Sequence, residues 1–323
     1  MQRLLKDKKI AFVVGKFPAI SETWLINQIA DLQEKGVAVD IFPFQKGDAD
    51  YISERFGAHR MGERTFYVEM PRGKLARIAR AVPKLLYLLA RRPMIFLRVC
   101  NVWRHGKNAA SLKLLFWVWP FVGREYALVH CHFGTIANKF LVIREILGMR
   151  QKIITTFYGY DVSHIFRQKG PRVYDALKKE CELFFVMSQN MKDRVVAQGF
   201  DARKIHIMPI SIDVGSYPFK ERFFKQGETI QIVSVGRFVE KKGFDDLLRA
   251  LAIVKNKAGK KFMCNIIGGG PLELRLRAMT KELGIEDVVS YKGYMKMENI
   301  INYFQDMHFY VQPSKTASGG DME

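Results

Sequence analysis

In this 323-residue chain the stretch VSVGRFVEKKGFDDLL holds the residue types best placed for chemistry. Gly236 and Arg237 follow an apolar run, and Lys241, Lys242 and Gly243 precede an amphipathic one. Glycine lets a backbone approach an anion, a helix start offers N–H donors and partial positive charge, and Arg237 with Lys242 adds two fixed cations. Such a loop suits a diphosphate. A second turn, Gly268, Gly269 and Gly270 before Pro271, stands in the same strand-to-helix setting. A lone triple glycine marks only a tight turn, but two glycine turns in adjacent crossover units reinforce each other. Asp48 and Asp50 flank Ala49 in a polar loop, a spacing that could hold a divalent cation elsewhere. The four cysteines (Cys100, Cys131, Cys181, Cys264) stand far apart with no C-x-x-C pair, so neither a zinc site nor a disulfide framework is expected, and a reducing cytosol fits.

Positioning those loops requires alternating strands and helices. Ile10 to Val14 reads as a strand, followed by a glycine-containing loop, a helix closed by Gly36, and a strand from Val37 to Phe42. The rhythm resumes with strands at Ala127 to Cys131, Lys152 to Phe157, Leu183 to Met187 and Ile205 to Met208, separated by helices. The segment Ile212 to Glu228 lacks a period and reads as a linker, after which strands at Ile230, Phe262, Val288 and Phe309 again alternate with helices. The expected fold class is α/β, two doubly wound Rossmann-like domains: residues 1–211, a linker at 212–228, and 229–323. Open sheets of this kind bind ligands at the carboxyl ends of their strands, so a shared cleft is expected.

The net charge of +20 is uneven: residues 1–211 hold 35 Lys and Arg against 18 Asp and Glu, and residues 229–323 hold 14 against 11. Within residues 55–124 the count is 15 against 2. In KLARIARAVPKLLYLLARRP, Leu75, Ile78, Ala79, Val82, Leu86 and Leu89 follow a helical period while Arg77, Arg80, Lys84 and Arg91 take the opposite face, with a kink or a second helix expected at Pro83. With Trp117 and Trp119 shortly after, this basic insertion reads either as a dock on an anionic membrane surface or as a surface helix packed on a core. Nucleic acid ranks below, because no zinc finger, RNP-like strand or helix-turn-helix spacing is present. No run approaches the roughly 20 apolar residues of a membrane-spanning helix, and the start lacks the apolar core of a secretory signal.

The order GRFVEKKG, IGGGP, YKGY, QPS and SGGDME resembles the nucleotide-sugar domain of the family-4 retaining glycosyltransferases, which have the GT-B fold. KFPAISETWLINQI, FPFQKGD, VHCHFG and TTFYGYDVS in the first half resemble the subgroup of colanic acid and other exopolysaccharide glycosyltransferases. The resemblance spans about Ile10 to Glu323. It implies that Arg237 and Lys242 hold the donor diphosphate, with Gly236, Gly268 and Gly269 in the cradle and Gly293 and Tyr294 near the nucleobase. Glu323 matches the first carboxylate of the family's Glu, seven residues, Glu motif, at the transferred sugar. Gly15 and Lys16 would lie in the first strand-to-helix loop facing the donor phosphates, and Ser21, Glu22 and Asp161 on the acceptor side, Ser21 also reading as a plain helix cap. The family's F-H-G is here Phe157, Tyr158, Gly159. Tyr158 could hydrogen-bond the same hydroxyl but not as a cation, which leaves His132 as a candidate in the cleft or as a buried structural histidine. The chain stops at Glu323, so relative to the family it reads as C-terminally truncated.

The resemblance implies a cytoplasmic hexosyltransferase, peripheral on the inner face of the plasma membrane. It would move a hexose from a UDP- or GDP-sugar to a lipid-linked saccharide with retention, by front-face displacement or a short-lived ion pair. Neither a metal nor a cofactor is expected. The alternative is a non-catalytic GT-B-like protein that binds a membrane or a partner. A dinucleotide-dependent oxidoreductase is disfavoured, since no G-x-G-x-x-G with a following acidic residue stands after a strand.

Overall fold

The computed structural model describes residues 8–19, 22–47, 52–212, 214–223, 225–257 and 259–321. Contacts divide the chain into two compact units, the first running to Ile210 and the second from Ser211, with the short stretch at 52–53 attached to the second. Longer helices are labelled α1 to α7 below, and shorter turns are cited by residue.

In the first unit six strands lie in the order β2-β1-β3-β4-β5-β6, with every neighbouring pair parallel. They are β1 (Lys9–Phe17), β2 (Ala38–Lys46), β3 (Leu128–His132), β4 (Lys152–Thr156), β5 (Leu183–Val186) and β6 (Ile205–Ile207). Parallel strands covered on both faces need near-continuous apolar runs, and β1 buries Ala11 through Val14 in succession. The strand runs past the expected Val14 because Lys16 pairs with Gln45 and Phe17 with Lys46 of β2. Gly15 and Lys16 therefore belong to the strand end rather than to a loop. Helix α1 (Thr23–Glu34) turns Leu25, Ile26, Ile29 and Ala30 inward, the i, i+4 spacing of an amphipathic helix. Each large side chain so buried contributes about 1.5–3 kcal/mol.

Between β2 and β3 lies the basic insertion, which is helical. Its main element, α2 (Lys74–Arg91), passes through Pro83 as one helix, so no second helix opens there. Proline removes one N–H there, and the helix continues on either side. The aromatic run after it departs from the membrane reading. Trp117 is only 9% exposed and, with Phe116 and Phe121, joins the core of the first unit. Trp119 is half-buried, under the Lys84 ammonium 4.2 Å from its ring centre and against Tyr87. Helices α3 (Gly134–Leu147) and α4 (Gln189–Ala197) lie in the crossovers that follow β3 and β5.

The second unit has four parallel strands in the order β10-β7-β8-β9: β7 (Ile230–Val235), β8 (Phe262–Ile267), β9 (Val289–Gly293) and β10 (Phe309–Tyr310). Helices α5 (Phe244–Lys257) and α6 (Glu273–Glu282) contribute Leu247, Leu248, Leu251 and Leu276 to one apolar cluster, while α7 (Met297–Phe304) sends Ile300 to another with Val233 and Ile267. Residues 214–223, read from sequence as linker, pack on this unit: Arg222 donates to the carbonyls of Phe304 and Gln305.

Candidate active site

In open parallel sheets the ligand crevice forms where consecutive connections leave a strand in opposite directions. The second unit has that point at β7, whose neighbours are β8 and the returning β10. Gly236 and Arg237, the residues from which sequence expects a cradle, directly follow β7 at its carboxyl end.

Three glycine turns meet there. The Gly236 N–H donates to Ile267 O at 3.0 Å, Phe238 N–H to Gly269 O at 2.9 Å, and Gly268 N–H to Gly293 O at 2.8 Å. A Cβ on Gly268 would overlap the Gly236 carbonyl, and one on Gly269 would press on the Tyr294 ring. Gly268 also sits at φ +134, which favours glycine. A side chain built on Gly236 would approach Lys242 Cδ at 3.5 Å, so the Lys242 stem lies beside the turn. Gly236, Gly268, Gly269, Gly293, Tyr294 and Lys242 are thus one cluster, with the Arg237 side chain exposed at its edge.

The helix start contributes less than its position suggests. The first turn of α5 carries Asp245 and Asp246, so carboxylates of the chain itself meet the positive end of the helix. Lys315 donates to both Asp245 oxygens at 2.8 Å and to Asp246 at 2.7 Å, and holds the Asp245 carboxyl below the usual range against the effect of burial. The groups left to meet an anion at this turn are Arg237, Lys242 and the glycine backbone.

A strap missed by the sequence reading covers this loop. Glu240 accepts from the Ser318 N–H at 2.8 Å and its hydroxyl at 2.9 Å, Lys241 pairs with Asp321 at 3.4 Å, and Lys315 N–H donates to Lys241 O at 2.9 Å. The Ser318 bonds lower the Glu240 pKa. Gly243 lies at φ +67 with Pro313 O where a Cβ would stand, so the strap can close only over glycine. These contacts join residues far apart in the chain, and only the charged run at 240–242 hinted at them. Glu323 lies outside the described residues.

The first unit has its own crevice at β1, between β2 and β3. Lys16 is exposed near the end of β1, and His132 ends β3 beside it. His132 is buried, however. Its Nδ1 and the Tyr158 hydroxyl share a hydrogen bond of 2.9 Å, His130 stacks on it at 4.2 Å, and Trp24 lies over both His132 and Tyr158. Burial, with His130 alongside, pushes the His132 pKa well down, and burial takes His130 to about 3, so both imidazoles are neutral near pH 7. The Tyr158 hydroxyl that was expected to face a sugar is directed to His132, and burial followed by the charges of Glu22 and Asp161 raises its pKa.

Asp161 departs from its expected acceptor-side place. It is fully buried and accepts from Gly134 N–H at 3.0 Å, Tyr158 N–H at 3.2 Å and the Tyr174 hydroxyl at 3.0 Å. Burial raises its pKa to about 6 in spite of these donors. Because Gly134 opens α3, Asp161 fills the anion position at that helix start with a group of the chain itself. Phe133, at φ +74, makes the turn into α3 and packs on Tyr158. Glu22 stands at the cap position of α1, while Ser21, Asp48, Ala49 and Asp50 lie outside the described residues. Among the described residues no group of three or more His, Cys, Asp or Glu side chains could hold a metal ion.

Comparison with known proteins follows this division. Residues 218–321 match the family described as glycosyl transferases group 1. The amylovoran biosynthesis glycosyltransferase AmsK of Erwinia amylovora is 29% identical over 98% of this chain and 77% of its own length. WcaL of Escherichia coli K12, described as a colanic acid biosynthesis glycosyltransferase, is likewise 29% identical over 98% of this chain and 77% of its own. Among solved structures, Anabaena HepE in complex with UDP and glucose superposes with a TM-score of 0.61 at 14% identity, covering 95% of this chain and 74% of HepE. The fold is GT-B, as the strand alternation and the motif order led one to expect.

Proposed function

We propose, from the premise that residues 218–321 are a glycosyltransferase group 1 domain, that this protein transfers a hexose in the assembly of an exopolysaccharide. The donor is a nucleoside diphosphate sugar, UDP- or GDP-linked, and the acceptor a lipid-linked saccharide. The observation that carries this reading is the cluster of three glycine turns at the β7 crevice with Lys242 beside it and Arg237 at its edge. AmsK and WcaL, named for amylovoran and colanic acid biosynthesis, support the polysaccharide class.

In the proposed reaction the bond from sugar C1 to the diphosphate oxygen breaks, and the acceptor hydroxyl oxygen bonds to C1 on the same face, with its proton passing to the departing diphosphate. Arg237 and Lys242 meet the charge that develops on that leaving group, the place where fixed cations accelerate a reaction most. They take the part a divalent metal would otherwise play, so the transfer is metal-independent. Tyr294, against Gly269, offers an aromatic surface to the nucleobase. In the first unit, Lys16 and Glu22 are the polar groups offered toward the acceptor, on a floor built by Tyr158 and His132.

The enzyme works in the cytoplasm at the inner face of the plasma membrane, where a lipid-linked acceptor resides. No described helix is long and apolar enough to cross a membrane, and the excess of positive charge lies in residues 1–211. The test is titration with UDP and with GDP, followed by incubation of labelled UDP-glucose and GDP-mannose with membrane lipid extract. Arg237→Ala is expected to lower turnover at least tenfold. Unchanged turnover removes Arg237 from the cradle. Failure of every donor to transfer or hydrolyse favours the non-catalytic alternative.

A further inference from the structure

We infer that α2 lies flat on an anionic lipid bilayer through an apolar stripe, and that Arg77 and Lys84 of this helix turn toward the protein rather than the lipid. The inference rests on the membrane location proposed above and names the surface that makes the contact.

Leu75, Ile78, Val82, Leu86 and Leu89 recur at intervals of three and four residues along α2, so they share one face. Leu75 is 85% exposed, and the other four are each about half exposed. In an 18-residue helix of about 1.5 Å per residue the stripe runs for most of some 27 Å. A row of aliphatic side chains of that length is more than a monomeric protein ordinarily leaves in water.

The roll of the helix is set from beneath, by Ala81 and Leu88, which are buried in the core of the first unit. That roll turns two of the expected membrane cations toward the protein. Arg77 reaches the Ser111 carbonyl at 3.4 Å, and Lys84 lies over Trp119. Burial, with Arg80 nearby, lowers the Lys84 pKa. Trp117 is likewise in the core. What remains outward is the stripe, with Arg72 and Lys74 before its first residue and Arg91 and Arg92 after its last.

Two observations select a bilayer as occupant. From Met70 to Arg124 there are twelve Lys and Arg and no Asp or Glu, so the partner is anionic as well as apolar, the combination an acidic lipid surface presents. Shortly beyond the helix, Trp103 is 99% exposed, an amphipathic ring of the type that settles at headgroup depth. Trp103 takes the anchoring role that sequence had given to Trp117 and Trp119.

Sedimentation with vesicles tests this, using phosphatidylcholine alone and phosphatidylcholine with 30% phosphatidylglycerol. The double variant Val82→Gln, Leu86→Gln keeps the charge and touches only exposed positions. It is expected to lose at least tenfold in partitioning onto the mixed vesicles, with tryptophan fluorescence of the unbound protein unchanged. Arg77→Gln with Lys84→Gln is expected to lose less than threefold. The reverse ranking overturns the inference and returns the contact to the cations, while leaving the membrane location standing. Failure of the unaltered protein to bind either vesicle overturns both. A dimer in sedimentation velocity that the Val82, Leu86 variant converts to monomer, without vesicle binding, makes the stripe a contact between copies and overturns the lipid assignment. UDP and GDP titrations of the variants report separately on the donor site.

Discussion

Replacing Asp161 by Asn isolates the internal anion of the first unit. Asp161 accepts three hydrogen bonds while fully buried, and burial prevails over them, raising its pKa from the ordinary 3.8 to about 6. The unfolded chain therefore releases this proton near 3.8, while the folded chain keeps it to about 6. Between those values the folded state binds more protons, so this group's contribution to stability falls as pH rises through the window and is constant above it. At about 1.4 kcal/mol per pH unit the fall comes to about 3 kcal/mol. Asn is close in shape to the protonated acid and does not titrate, while His130 and His132 remain in both proteins and cancel in the comparison. The native protein is expected to lead at pH 4 by about 1–3 kcal/mol, the cost of setting an amide N–H against a buried donor. Relative to the variant it then loses about 3 kcal/mol by pH 7. All four tryptophans, Trp24, Trp103, Trp117 and Trp119, belong to the first unit, so urea melts followed by tryptophan fluorescence read that unit alone. Parallel stability curves, or a native protein that gains on the variant as pH rises, would refute the argument and make Asp161 a carboxylate stabilised outright by its donors.

Tyr158→Phe removes the hydroxyl bonded to His132 Nδ1 and is expected to lower the stability of the first unit by about 1–2 kcal/mol in the same melts. An unchanged urea midpoint with lost transfer would instead place that hydroxyl on substrate. Glu240→Gln and Ser318→Ala each loosen the strap over the cradle, and each is expected to raise the donor KM several-fold with a smaller change in kcat. The double variant should fall short of the product of the two single effects, because both remove the Ser318 hydroxyl to Glu240 carboxylate contact while the Ser318 backbone N–H stays in place. Multiplying effects in steady-state kinetics would count against the strap as a positioning device.

The strand and helix alternation, the two glycine turns and the placement of Arg237 and Lys242 were legible because each depends on neighbours in sequence: turn chemistry, apolar runs and helix periods. What was not legible depends on partners far along the chain. Lys16 and Phe17 look like loop until β2 supplies Gln45 and Lys46. Asp161 looks like a ligand for substrate until Gly134 and Tyr174 arrive from other elements to occupy it. The Glu240 and Ser318 contact spans 78 positions and leaves no local pattern.

Helix α2 shows the boundary between the two kinds of information most directly. Periodicity assigns Leu75, Ile78, Val82, Leu86 and Leu89 to one face and Arg77, Arg80 and Lys84 to the other, and a solvated charged face over a buried apolar one is the usual result. Period alone is silent on roll. Ala81 and Leu88, which stand between the two faces, are the residues that reach the core, and the helix is held by its seam. The apolar face is consequently exposed, and part of the charged face is folded against Ser111 and Trp119. The residues that suggested a membrane dock in the sequence thus present their apolar face outward and fold part of their charged face inward.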